Sequence, residues 1–99
     1  MDHLKITLLQ AYLFWENIDK NLQNLGLKLS EIREKTDLII LPEMFNTGFT
    51  MNAELLAEEM DGKTMAWMKE KAYRYNAVIT GTLIINENGN YYNRLIWMK

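Results

Sequence analysis

The 99 residues contain no cysteine. That absence removes disulfides, thiolate metal sites and any cysteine nucleophile from this chain. Histidine is nearly missing as well: His3 stands alone beside the start, where it reads as a solvated terminal residue, and one imidazole without cysteine partners makes no metal site. Neither sign of charge dominates, because eleven Lys and Arg face thirteen Asp and Glu for a net charge of -2 with no basic block. The electrostatic footprint of a nucleic-acid binder is therefore absent. The apolar stretch from Leu4 to Phe14 is interrupted by Lys5 and Gln10, and no small-residue cleavage site follows. It reads as a core strand, not a leader or a membrane span, and implies a cytoplasmic protein without membrane partners. The five glycines are neither spaced G-x-G-x-x-G nor followed by Lys-Ser/Thr, so nucleotide binding has no support.

What remains is a globular composition, 48% hydrophobic and 24% charged. Residues 1–99 make one domain at most, and a domain this short buries only about two thirds of the surface its unfolded chain exposes.

Along the chain, Leu4, Ile6 and Leu8 alternate with Lys5 and Thr7 before Leu9, the period of a strand buried mainly on one face. From Asn17, a plausible N-cap, Ile18, Leu22, Leu25, Leu29 and Ile32 recur at steps of four, three, four and three and share one stripe of a helix. Leu38 to Leu41 form a continuous apolar run, as parallel strands covered on both faces do. Strand, helix, strand is the βαβ order, with a right-handed crossover expected. Asp61 is placed to cap a second helix on which Met65, Met68, Ala72 and Tyr75 share a core face. Val78–Ile85 and Tyr91–Met98 flank Glu87-Asn88-Gly89-Asn90. Asn-Gly between apolar runs predicts a type I′ hairpin and antiparallel pairing.

Glu43 is the residue that breaks the pattern, because a carboxylate follows the buried run and Pro42 at once. In open α/β sheets the functional crevice lies beyond the carboxyl ends of parallel strands. Pro42 stops the ladder and fixes φ, so Glu43 leaves the strand close to the sheet end. Met44, Phe45, Phe49 and Met51 are large and apolar for a loop, with Gly48 supplying a turn among them. Apolar walls of that kind desolvate a carboxylate and raise its pKa, which makes a base for work near neutrality. Met44, Phe45 and Phe49 are the pocket-lining candidates, and packing alone is the other reading of them. Glu43 itself reads equally as a solvated loop acid, and Asn46 and Thr47 as plain loop residues.

The string PEMFNTGF after DLIIL resembles the catalytic-glutamate motif of the nitrilase superfamily, the carbon-nitrogen hydrolases, and among these looks most like the omega-amidase branch. The opening LKITLLQ, Trp15-Glu16-Asn17 leading to Asn21-Leu22, Val78-Ile79-Thr80-Gly81-Thr82 and Tyr92-Asn93-Arg94 fit in order over nearly the whole chain. The resemblance implies an αββα sandwich, of which residues 1–99 would be the incomplete N-terminal part, and a Glu-Lys-Cys triad with Glu43 as its glutamate. Family members are considerably longer, and their Lys and Cys lie beyond Lys99, which falls too early to match the triad lysine. The implied reaction is hydrolysis of the C–N bond of small carboxylated amides such as 2-oxoglutaramate, without metal or organic cofactor. Ordinary pKa values put Glu about four units below Cys, so burial of the acid and a cation beside the thiol must close the gap. Because family members commonly associate, a homo-oligomer is expected. The reading from another class is a truncated, non-catalytic α/β binding or assembly module, which the missing nucleophile favours for the chain alone.

Overall fold

Each switch of apolar period in the sequence becomes a switch of element. The computed structural model describes residues 3–99. The order is β1 (Ile6–Leu8), α1 (Ile18–Leu29), β2 (Leu38–Ile40), α2 (Ala53–Leu56), α3 (Lys63–Tyr75), β3 (Val78–Glu87) and β4 (Asn90–Met98). The strands form one sheet in the order β1-β2-β3-β4. The first three are parallel, with Ile6, Leu38 and Val78 in one row, and β4 runs antiparallel to β3. The hairpin turn has Asn88 at φ 55 and Gly89 at φ 80, the two positive values that a type I′ turn requires.

Helix α1 begins where expected: the Asn17 side chain accepts the Lys20 N–H at 3.1 Å. Asp19 in its first turn and Lys28 in its last complement the helix dipole. Leu22, Leu25 and Leu29 are buried against the sheet, but Ile32 lies beyond the last turn and reaches the core only from its edge. In α3, Met65, Met68 and Ala72 are buried and Tyr75 packs beside them. Its N-cap is Gly62, not Asp61, which is exposed. The capping work falls to Glu58, whose carboxylate accepts the Thr64 N–H at 2.8 Å. A side chain at Gly62 would meet that same carboxylate, its Cβ lying 2.8 Å from Oε1. Glycine stands there because an acid from outside the helix crosses over it.

Both long helices cover one face of the sheet, where Ile39, Ile79, Leu83, Ile85 and Ile96 meet Leu25, Leu29 and Met68 in the core. The other face carries no such layer among the described residues. Ile6, Leu8, Leu95 and Trp97 are exposed there, and Leu38 and Ile40 are only half-buried. Two expectations change accordingly. The alternation in β1 is real, but its apolar side is the open one, and the run Leu38–Leu41 is deeply buried only at Ile39 and Leu41. A lone layer of helices can cover one side of a sheet and no more.

Candidate functional site

β2 ends at Ile40, and the ladder to β3 goes one step further through Leu41 N–H to the Thr80 carbonyl at 2.9 Å. Pro42 has no N–H to continue it. Glu43 follows at the carboxyl end of the strand, as the sequence implies, with its side chain exposed. Its carboxylate makes no ion pair or hydrogen bond to another side chain among the described residues. The apolar walls expected around it are not closed over it here.

The turn that carries Glu43 is nevertheless tightly built. Met44 sits at φ 47, a left-handed conformation that is costly for a residue with a long side chain. Its N–H donates to Thr82 Oγ1 at 2.7 Å, and the next N–H, of Phe45, reaches the Thr82 carbonyl at 3.3 Å. Gly48 N–H closes the turn onto the Met44 carbonyl at 2.8 Å. Gly48 itself is at φ 74 with the Trp15 backbone beside it, a conformation that favours glycine.

Asn46 and Thr47 are buried, contrary to their reading as plain loop residues. The physical reason is a polar web from distant elements. Asn21, fully buried on α1, donates through Nδ2 to the Asn46 carbonyl at 3.0 Å and the Phe14 carbonyl at 2.7 Å, and accepts the Phe14 N–H at 2.6 Å. The Asn46 side chain donates to Thr64 Oγ1 at 3.1 Å and to Glu58 Oε2 at 3.4 Å, and the Thr64 hydroxyl also bonds the Glu58 carboxylate. Thr47 accepts the Glu16 N–H through its carbonyl at 2.6 Å, and the Glu16 carboxylate accepts the Thr50 hydroxyl at 2.6 Å. These bonds tie the turn's backbone to α1 and α3, while Asn46 Oδ1 stays buried with no hydrogen-bond partner among the described residues. Glu58 and Thr64 were not singled out from sequence, and Asn21 and Thr82 entered only as letters of the matching strings, with no role in the site. Asn21 left a signal: it lies three residues after Ile18 and four before Leu25, a polar side chain on an apolar stripe.

The three apolar candidates separate. Phe45 is fully buried, packed on Gly81 and facing the Trp67 ring at 6.0 Å between centroids. Met44 is buried in the turn. Phe49 is 76% exposed and lines a shallow depression with Trp15, Glu16, Thr50, Met51 and Asn52. Trp15 is tied to this segment by its indole N–H, which donates to the Phe49 carbonyl at 2.9 Å.

Among the described residues no three His, Cys, Asp or Glu side chains cluster as a metal site, and no helix is long and apolar enough to cross a membrane.

A mixed α/β sheet that presents a carboxylate on a fixed turn at the carboxyl end of an inner parallel strand has the layout of an α/β enzyme domain. The family is narrower than that layout. The carbon-nitrogen hydrolase profile matches residues 5–99, and the chain belongs to that family. It is 38% identical over its whole length to the omega-amidase YafV of Escherichia coli strain K12. It is 23% identical over 92 residues to the 2-oxoglutaramate amidase of Bacillus subtilis strain 168. It spans 38% of the length of the first of these and 36% of the second. Among solved structures it is similar to XC1258 of Xanthomonas campestris, a CN-hydrolase superfamily protein described with an arsenic adduct in its active site. That match has a TM-score of 0.94 and 37% identity, and covers all of this chain and 37% of the other.

Proposed function

We propose that these residues are the N-terminal part of a single carbon-nitrogen hydrolase domain, an amidase of small carboxylated amides, with Glu43 as its general base. The observation that supports this reading is the placement of Glu43: it leaves β2 at the sheet's carboxyl edge on a turn held by β3 and, through its buried polar web, by α1 and α3. A base must be held within hydrogen-bond reach of the proton it removes, and a turn fixed from three elements does that. The substrate class follows the names of the relatives, an omega-amidase and a 2-oxoglutaramate amidase.

On this reading a cysteine and a lysine from outside residues 1–99 complete the site and enclose the carboxylate. The Glu43 carboxylate takes the thiol proton as sulfur attacks the amide carbonyl. Backbone donors and the lysine steady the oxyanion. The tetrahedral intermediate collapses with cleavage of the C–N bond, and the proton held by Glu43 passes to the nitrogen, which leaves as ammonia. Water then attacks the thioester, giving one proton to Glu43. The C–S bond breaks, and that proton returns to the sulfur as the carboxylic acid departs. No cofactor enters these steps. Met44 and Phe49 are the proposed contacts of the substrate side, while Phe45 supports the turn from within the core. The protein is proposed to act in the cytoplasm as a homo-oligomer.

The test is Glu43→Gln in the catalytically complete protein, with ammonia release from 2-oxoglutaramate as the assay. The substitution keeps size and most hydrogen bonding but removes the proton acceptor, so kcat/KM is expected to fall by about 10² to 10⁴ with Tm unchanged. A folded variant with near-normal turnover would remove the base from the mechanism. Residues 1–99 alone, which have no thiol, are expected to release no ammonia.

A further inference from the structure

Where β2 stops, one residue of β3 takes over the hydrogen bonding that a strand would have supplied. Leu41 donates to the Thr80 carbonyl, Pro42 cannot donate, and Glu43 swings out. The next two N–H groups, of Met44 and Phe45, both end on Thr82, the first on its hydroxyl oxygen at 2.7 Å and the second on its carbonyl at 3.3 Å. The carbonyl contact is available to any residue at this position. The hydroxyl contact is not.

The hydroxyl contact falls on a backbone position that needs holding. Met44 is buried and left-handed at φ 47. A non-glycine residue stays in that region only when its surroundings over-determine it. A buried N–H without an acceptor is costly, so loss of the Thr82 oxygen removes both a satisfied donor and the restraint on φ. Relaxation of Met44 toward ordinary φ rotates the peptide that joins it to Glu43. Thr82 is placed for this and not for the helix-covered core, since it pairs with Leu95 in the row that belongs to the open face of the sheet. Its neighbour on the same face, Thr80, spends its hydroxyl on the Ile96 carbonyl at 2.7 Å, toward β4. Two threonines two residues apart thus serve opposite sides of β3, and only Thr82 reaches the turn of Glu43.

We infer that Thr82 is a positioning residue, which fixes the direction of the Glu43 carboxylate by holding the Met44 peptide in its left-handed state. The inference rests on the reading of Glu43 as general base. It does not make Thr82 a catalytic residue, because the hydroxyl acts through Met44.

The experiment uses the catalytically complete protein with Thr82→Val, Thr82→Ser and Glu43→Gln. Valine keeps the branched shape and removes the acceptor, and serine restores the acceptor without the methyl group. A misdirected base lowers the chemical step, so Thr82→Val is expected to lower kcat by about tenfold or more, a larger factor than any rise in KM from the displaced Met44 contact. Thr82→Ser is expected to recover kcat to within about threefold. If Glu43→Gln is inactive while folded Thr82→Val turns over normally, this inference falls and the base survives. It also falls if Thr82→Ser loses as much as Thr82→Val. If Glu43→Gln remains active, the base reading and this inference fall together. Should Thr82→Val not fold, Thr82→Ala takes its place, and failure of both to fold would assign Thr82 to the framework instead of to Glu43.

Discussion

Adding one methyl group at Gly81 tests whether the core beneath the Glu43 turn is as close as the structure makes it. Gly81 is buried in the middle of β3, paired with Ile96. Its φ lies outside the left-handed region, so alanine meets no backbone strain there. Taken alone, Gly81→Ala should stabilise the strand by about 0.5–1 kcal/mol, because glycine has more freedom to lose on folding. The packing points the other way. An added Cβ would lie 2.8 Å from Phe45 Cδ1, 3.0 Å from Cε1 and 3.1 Å from Leu41 Cβ. Phe45 cannot yield as a surface side chain would, since it is fully buried with Trp67 beside it. Overpacking of this kind costs about 1–3 kcal/mol.

The clash wins, and Gly81→Ala is expected to lose about 1–2 kcal/mol net, which for a domain of this size lowers Tm by roughly 5–15 °C. Circular dichroism melts and urea titrations measure it. Phe45→Leu frees the space near Gly81, so in the double variant the two costs should fall short of their sum by at least about 0.5 kcal/mol. A Gly81→Ala variant as stable as the parent, or strictly additive costs, would refute the close approach of Phe45 to β3.

Three further outcomes follow from the same geometry. Asp37 accepts the Lys5 N–H at 2.9 Å and faces Lys35 at 3.5 Å, and the Lys5 bond foremost holds its carboxyl below the ordinary 3.8 against the opposing effect of desolvation, with Lys35 helping. A lowered folded value gives stability that is present above pH 3.8 and is lost as pH falls from there through the folded value. Melts recorded from neutrality down through that window should therefore steepen for the parent relative to Asp37→Asn. Glu58→Gln should cost about 1 kcal/mol in urea titrations because it weakens the cap of α3, whereas Asp61→Ala, at the position the sequence favoured, should be nearly neutral. Residues 1–99 on their own should self-associate through the open sheet face in sedimentation. Replacing the exposed Leu95 and Trp97 by lysine should shift them toward monomer, and no shift would locate the contact elsewhere.

The order of the longer elements was legible because apolar spacing is a local property, whereas the four-residue α2, which buries none of its residues, left no such pattern to read. Leu22, Leu25 and Leu29 share a stripe whatever they pack on, and Asn88-Gly89 selects its turn from its own two φ angles. Which face of a sheet is covered is not local. Leu4, Ile6 and Leu8 announce that they share a side, but only the positions of α1 and α3 decide that this side is the open one. The start of α3 misled for a related reason. Asp61 is a good cap by type, yet the carboxylate that does the work comes from Glu58, through a glycine whose purpose appears only once the two are seen together.

The same division runs through the candidate site. The location of Glu43 could be read from a buried run ending at proline, which is a matter of neighbours in sequence. Its surroundings could not, because Asn46 depends on Asn21 25 positions earlier and Met44 on Thr82 38 positions later. Phe45 and Phe49 look alike as letters in an apolar loop, and one is core while the other is surface. The distinguishing signal lay in β3: a glycine inside an apolar strand marks a place where something large approaches the backbone. Gly81 receives the Phe45 ring, and with it the turn is drawn down onto β3. Glu43, two residues before that anchor and one before a backbone held by Thr82, is thereby left on a fixed backbone with its carboxylate in the open.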